Sequence, residues 1–123
     1  MKEIKLTDSE KVIMDILWEK KKIFMKDILK TYPEPKPAAT TVATLLKRMQ
    51  NKKLVGYKLY GNSREYYPLV EKREYFKEEM TSMIDRFFNS SVTQFASFFT
   101  SNAKLSQKQL KELRDIIDEQ IKE

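Results

Sequence analysis

The sequence predicts a mostly α-helical chain that contains one small antiparallel β-hairpin, and two observations carry this prediction. Apolar residues recur at helical spacing through most of the 123 residues. Between residues 54 and 69, by contrast, two segments rich in aromatic or β-branched residues flank Gly61, Asn62 and Ser63, which is the composition of two strands and a turn. We therefore expect helices on both sides of a hairpin.

Charge and composition both change near residue 70. Residues 1–70 hold 15 Lys and Arg against 8 Asp and Glu, whereas residues 71–123 hold 9 against 10. The positive potential therefore belongs to the N-terminal part, as a surface that binds a polyanion such as nucleic acid requires. We predict two domains, residues 1–70 and residues 71–123.

The first predicted helix begins at a capping box. Thr7 and Glu10 have the required spacing, and the helical pattern continues to about Lys20. We expect Trp18 to serve packing rather than base stacking. The predicted inward stripe is Val12, Ile13, Ile16 and Leu17, with Met14 and Trp18 at its edge.

A short strand and a second helix follow. Ile23 and Phe24 form an apolar pair that is suited to a minor strand pairing with the later hairpin. The second helix is predicted from Met25 to about Tyr32, with Ile28 and Leu29 packed inward. It should end there because three prolines follow between residues 33 and 37, and the residue before a proline is displaced from helical geometry.

The third predicted helix, Thr40 to Asn51, has two chemically different faces. Its apolar stripe consists of Val42, Leu45, Leu46 and Met49, and the opposite side carries Thr40, Thr44, Lys47 and Asn51, flanked by Thr41, Ala43 and Arg48. From Lys36 to Arg64 the chain contains seven basic residues and no Asp or Glu. This run of one sign favours an anionic partner, although the helix taken alone is equally consistent with a solvated amphipathic helix.

Two helices joined by a short connection and followed by a tight basic hairpin are typical of a winged helix-turn-helix domain. In that layout the third helix enters the DNA major groove, and the hairpin tip, Gly61 to Arg64 including Asn62 and Ser63, reaches phosphate or the minor groove. The salt-dependent affinity would come mostly from the cations Lys36, Lys47, Lys52, Lys53, Lys58 and Arg64.

The second domain is predicted to contain three helices that dimerise. Five phenylalanines lie between residues 87 and 99, which is more apolar area than so small a domain hides by itself. A second capping box at Ser106 and Gln109 begins the last helix, which is expected to bury Leu110, Leu113, Ile117 and Ile121. The predicted dimerisation residues are Phe76, Met80, Ile84, Phe87, Phe88, Phe95, Phe98, Phe99, Leu113 and Ile117.

Composition argues against several other classes of protein. The chain has no Cys and no His, which removes thiolate metal sites and the usual acid–base group at neutral pH. Two glycines cannot build a glycine-rich phosphate loop, and neither a membrane span nor a signal peptide is visible. We expect a soluble, cytoplasmic binding protein that is not an enzyme and holds no metal or cofactor.

Nearly the whole chain resembles the penicillinase-repressor family of bacterial winged-helix regulators, the BlaI/MecI type. The most specific part is Thr-aliphatic-x-Thr-Leu-aliphatic-x-Arg, present as residues 41–48, and similar segments occur at EKVIMDILWEKK, REYYPLV and LSQKQLKELRDII. The resemblance implies that Thr41, Thr44 and Arg48 contact bases or phosphates. Thr40 and Ala43 lie on the same face, but some members carry basic residues there. Ala43 could contact only a thymine methyl, so a different operator sequence is expected.

The resemblance also implies a mode of action. Members of the family are homodimers that bind palindromic operators ahead of antibiotic-resistance genes. A membrane sensor-protease system relieves them by leading to cleavage in the C-terminal lobe, and the closest position here is the Phe98–Phe99 bond. The favoured interpretation is thus a dimeric repressor bound to a double-stranded DNA operator. The alternative is a winged-helix module that binds protein or RNA and has no operator.

Overall fold

The computed structural model describes residues 4–122, which form six α-helices and three short β-strands. In chain order these are α1 (Asp8–Lys20), β1 (Ile23–Phe24), α2 (Met25–Thr31), α3 (Ala39–Asn51), β2 (Val55–Tyr60), β3 (Ser63–Pro68), α4 (Lys72–Phe87), α5 (Val92–Asn102) and α6 (Gln107–Ile121). The predicted fold class, mostly helical with a small antiparallel wing, is confirmed.

Internal contacts divide the described chain into two units. One unit ends at Glu79 and the other begins at Met80, so the division falls inside α4. The functional boundary expected between residues 70 and 71 stays a prediction.

The first unit packs three helices against a three-stranded antiparallel sheet with the order β1-β3-β2. Ile23 pairs with Tyr66, which confirms the predicted minor strand, and Tyr57 pairs with Tyr66 from the other side. The turn of the hairpin contains two residues rather than the predicted three, because Ser63 already pairs with Tyr60. Gly61 adopts a φ of 63°, a conformation that glycine accepts without steric cost.

The core of this unit joins all three helices to the sheet. Its fully buried side chains include Ile13, Met14, Leu17, Ile28, Val42, Leu46, Met49 and Val55. Met14 was predicted at the edge of α1 but is completely buried. The reason is that α1 contacts α2, α3 and β3, so neighbours cover a wider arc of the helix than a single stripe.

Trp18 anchors the end of this unit, as its expected packing role requires. Its indole N–H donates to the Val70 carbonyl oxygen at 2.8 Å. Its ring lies 5.6 Å from the ring of Tyr75, measured between centroids.

Glu10 is a fully buried carboxylate at the start of α1. Thr7 forms the predicted capping box with it, because the Thr7 N–H donates to Oε1 and Thr7 Oγ1 accepts from the Glu10 N–H. Lys52 Nζ donates to both carboxylate oxygens at 2.8 and 3.0 Å, and Arg48 Nε donates to Oε2 at 3.1 Å. One side chain therefore fixes the first turn of α1 to the C-terminal end of α3.

These hydrogen bonds decide the charge state of Glu10. Burial by itself raises the pKa of the carboxyl. The hydrogen bonds from Lys52, the Thr7 backbone and Arg48 outweigh that effect and hold the pKa below its ordinary value of 4.5. Glu10 is consequently ionised at neutral pH, although no part of it reaches water.

The second unit clusters phenylalanines between α5 and the residues before it. Phe88 lies 5.6 Å from both Phe95 and Phe98, and Phe95 lies 6.1 Å from Phe99, measured between ring centroids. Ile84 is the buried residue of α4. The Ser106–Gln109 capping box is present.

The burial of α6 differs from the prediction when one copy of the chain is considered. It has no buried residue, whereas four of its apolar residues were expected to be covered. Leu110 and Leu113 are half-buried, and Ile117 and Ile121 are 57% and 75% exposed. Within residues 4–122 this apolar stripe therefore stays largely open to solvent.

Replacing the buried carboxylate tests its structural role. We expect Glu10→Gln to lower the free energy of unfolding at pH 7 by about 1–3 kcal/mol. The three hydrogen bonds from Lys52 and Arg48 lose their charged acceptor, and one acceptor oxygen becomes an N–H donor. The matched control is Glu19→Gln, at an exposed position of the same helix, which should change stability by less than about 0.5 kcal/mol. Urea unfolding followed by circular dichroism measures both.

The dependence on pH gives a second readout. Because the folded-state pKa of Glu10 is lowered, its contribution is fully present above the ordinary value of 4.5 and is lost as pH falls through the folded-state value. The stability gap between wild type and Glu10→Gln should therefore narrow below about pH 4.5. A gap that stays constant down to acid pH would contradict this assignment.

Candidate nucleic-acid interface

The outward face of α3 is open to solvent. Val42, Leu45, Leu46 and Met49 are buried, and Thr40, Thr41, Ala43, Thr44, Lys47 and Arg48 are exposed, so the predicted division into two faces is confirmed. The Thr44 hydroxyl donates to the Thr40 carbonyl oxygen at 2.9 Å. Its oxygen lone pairs and its methyl group therefore remain available to a partner, whereas its proton does not.

Three of the predicted DNA-binding cations also hold the fold together. Arg48 and Lys52 bind Glu10, with side chains that are 50% and 40% exposed. Arg48 uses only Nε for this contact, and its terminal nitrogens donate to no residue that the structure describes, so they can donate to a partner. Lys36 Nζ donates to the carbonyl oxygens of Leu29 and Lys30 at 3.2 and 2.7 Å, where it satisfies the C-terminal end of α2.

Other predicted DNA-binding cations form no such structural ion pair within the described part of the chain. Lys47, Lys53 and Lys58 form no ion pair with any residue between 4 and 122, and all three are exposed. In the backbone register of the hairpin, Lys58 lies opposite Glu65. Because side chains alternate along a strand, Lys58 lies on the opposite face of the hairpin from Arg64, and the structure does not bring these two cations together.

The hairpin tip presents a guanidinium that lies over an aromatic ring. Asn62, Ser63 and Arg64 are exposed, and Arg64 lies 4.3 Å from the centre of the Tyr57 ring. Tyr57 in turn packs against Tyr66 at 5.7 Å between centroids. Stacking on an aromatic face restricts the long arginine side chain while leaving its donors available.

A groove of about 460 Å³ joins the tip to α3. Ala39 and Ala43 line it from α3, Asn62 to Arg64 line it from the tip, and Lys26 lines it from α2. The structure thus brings together the N-terminal half of the third helix and the hairpin tip, which lie about 20 residues apart in sequence.

Sequence reasoning missed two residues that contribute to this interface, the buried Glu10 and the exposed Lys26. Glu10 was recognised only for its local capping role, and no local signal indicates that Arg48 and Lys52 reach it. Lys26 lies outside the acid-free run and next to Asp27, so the charge pattern did not identify it as a candidate DNA-binding residue. Both assignments require the tertiary fold.

The predicted dimerisation residues differ in how much surface they offer. Phe76, Phe87, Phe98, Phe99 and Ile117 are between 43% and 66% exposed. Met80, Phe88, Phe95 and Leu113 are half-buried. Ile84 is only 8% exposed, which leaves little of its side chain for a partner.

The described residues offer cations, hydroxyls and an amide rather than a metal centre. No group of three or more Asp, Glu, His or Cys side chains between residues 4 and 122 is arranged to hold a metal ion. Over the same residues, none of the helices combines the length and the hydropathy needed to cross a membrane.

Known proteins resemble this chain over almost its full length. A penicillinase repressor of Bacillus licheniformis is 25% identical over 97% of this chain and 94% of its own. The methicillin resistance regulatory protein MecI of Staphylococcus epidermidis is 25% identical over 95% of this chain and 96% of its own.

A solved structure has the same fold, and a family profile covers most of the chain. The structure of hsRosR-S4, solved in a complex, superposes with a TM-score of 0.54 over 94% of this chain and 90% of that one. At 15% identity, this likeness concerns the fold alone. The profile of the penicillinase repressor family matches residues 6–119, and the chain therefore belongs to the penicillinase repressor family.

Proposed function

We propose that this chain is a homodimeric, sequence-specific DNA-binding transcriptional repressor that acts in the cytoplasm. In the proposed complex α3 enters the major groove of a double-stranded operator, and the tip of the β2–β3 hairpin reaches the adjacent backbone or minor groove. Membership of the penicillinase repressor family supports the repressor role. The operator, by symmetry, would contain two half-sites.

A single observation carries the proposal, namely the exposed face of α3. It combines threonine hydroxyls with Lys47, and the opposite side of the helix is a buried apolar stripe, so the helix is held by the core while its polar side stays open. The carboxylate that pairs with Arg48, that of Glu10, is itself buried. A phosphate backbone approaching this face therefore meets no exposed acid on α3.

Within this interface we assign the residues different roles. In the proposed complex Thr41 and Thr44 meet base edges, where the Thr44 hydroxyl oxygen accepts a hydrogen bond and the threonine methyl groups contact thymine. Lys47, Lys53 and the free nitrogens of Arg48 are suited to phosphates, which set register and salt dependence. Lys52 serves chiefly to hold α3 against α1.

Dimerisation through the second unit is the next part of the proposal. Exposed apolar side chains recur on both α5 and α6, including Phe98, Phe99, Ile117 and Ile121. A monomer rarely leaves such a surface uncovered, and a second copy related by a two-fold axis would supply the same surface in return.

The last part of the proposal is that proteolysis of the chain relieves repression. The Phe98–Phe99 bond lies inside α5, where its amide groups belong to the helical hydrogen-bond ladder. A protease therefore reaches this bond only after α5 opens locally. A membrane sensor-protease system is the proposed source of that cleavage.

The DNA interface is tested with two variants, one that removes a proposed phosphate contact and one that removes a proposed base contact. Lys47→Ala should weaken binding to any duplex and reduce the slope of log K against log salt concentration by about 0.9, the contribution of one phosphate contact. Thr44→Ala should cost about 1–3 kcal/mol on the duplex upstream of the chain's own gene and little on random DNA. Mobility shifts across a salt series measure both.

A control variant for this experiment is Lys111→Ala, at an exposed position of α6, which should leave the salt slope unchanged. If both test variants behaved like this control, the interface would be placed wrongly. Binding to single strands alone would favour an RNA-binding module instead.

Dimerisation is tested on α6. Ile117→Lys places a charge in the exposed apolar stripe and should give a monomer in sedimentation at micromolar concentration. Its affinity for a duplex with two half-sites should fall more than about tenfold, since the linked second binding event is lost, while affinity for one half-site is retained. Glu119→Lys, on the opposite side of α6, should remain dimeric. A wild-type protein that is monomeric at this concentration would remove the proposal.

Cleavage is tested by mass spectrometry of the protein recovered from cells. Exposure to a penicillin should produce two fragments that correspond to residues 1–98 and 99–123, because α5 carries the proposed bond. Untreated cells should contain only the intact chain. Lifted repression with the chain still intact would show that another signal releases the operator.

A further inference from the structure

The groove between α2, α3 and the hairpin tip has a lining of mixed character. Cationic and small polar side chains, including Lys26 and Arg64, line it together with the apolar side chains of Phe24, Leu29 and Tyr66. None of the residues that line it is acidic. A ligand that fits this lining has negative charge and an apolar body.

The two cations are available for such a ligand. Arg64 is held over the Tyr57 ring at 4.3 Å, and Lys26 forms no ion pair with any residue that the structure describes. Lys26 is the second residue of α2, where a positive charge is unfavourable for the helix dipole. Helix stability therefore gives no reason for a lysine at this position.

The position of the groove identifies an occupant, provided that the proposed function holds. The major and minor grooves of DNA are separated by one sugar–phosphate strand. If α3 occupies the major groove and the hairpin tip reaches the neighbouring minor groove, that strand must pass between them. The groove occupies this position, because α3 and the tip form two of its walls.

We propose that this groove seats the sugar–phosphate strand between the two DNA grooves, with Lys26 and Arg64 binding its phosphates. The apolar side chains of Phe24, Leu29 and Tyr66 pack against deoxyribose. Lys26 is thus a DNA-binding residue supplied by α2, which extends the interface to a third element beyond α3 and the hairpin.

The test compares Lys26→Gln with a matched variant on random-sequence duplex DNA, which requires no known operator. Lys26→Gln should reduce the salt slope of binding by about 0.9, since one phosphate contact is lost. The control is Lys22→Gln, because Lys22 is also exposed and lines a separate cavity with Trp18 and Tyr67. It should keep the wild-type slope, and thermal melting should show that both variants are folded.

A second measurement locates the contact. A duplex from the chain's own upstream region is substituted with a neutral methylphosphonate at one backbone position at a time. Wild-type protein should lose affinity at a position in each half-site where Lys26→Gln loses none, because the variant no longer contacts that phosphate.

The outcomes are distinct. If wild-type protein binds duplex DNA but Lys26→Gln keeps its full salt slope, the groove assignment is overturned and the proposed function stands. If wild-type protein binds no duplex at all, both are overturned. If Lys26→Gln retains DNA affinity but loses binding of 1-naphthoate measured by amide chemical shifts at residues lining the groove, its occupant is a small amphipathic anion and the assignment also fails.

Discussion

The first unit depends on one buried carboxylate. Glu10 accepts hydrogen bonds from the Thr7 backbone, Arg48 and Lys52 while it is entirely shielded from water. Removing an ion from water is costly unless hydrogen bonds replace its hydration, and here three donors do so. As α3 and the hairpin contain no acid before Glu65, the counter-charge comes from α1. This arrangement fixes the orientation of α3 from its C-terminal end without placing an exposed acid on its outward face.

Local patterns were sufficient to predict the elements themselves. The Thr7 capping box, the stripe from Val42 to Met49 and the paired strands around Gly61 each depend on residues close in sequence, and all are observed. Predictions that depend on distant neighbours were less successful. Met14 is buried because three elements surround α1, and no periodicity in α1 reports how many neighbours it will have.

At the candidate site, too, features set by local sequence could be predicted, and features set by distant neighbours could not. Exposure of the threonines and of Lys47 could be predicted, because it follows from the phase of α3. The partners of Arg48, Lys52 and Lys36 could not, since a lysine that binds a buried carboxylate or a helix carbonyl has the same local sequence as one that faces solvent. Lys26 could be identified as a candidate only from the fold, which places α2 beside α3 and the hairpin tip.

The uncovered stripe on α6 has a consequence for how much protein a cell must make. If the proposed dimer covers apolar side chains such as Ile117 and Ile121, the stability of the second unit rises with protomer concentration. Newly made chains at very low abundance would then be open to degradation, while chains above a threshold would persist. Expression level, and not only operator affinity, would set the point at which a gene is switched off.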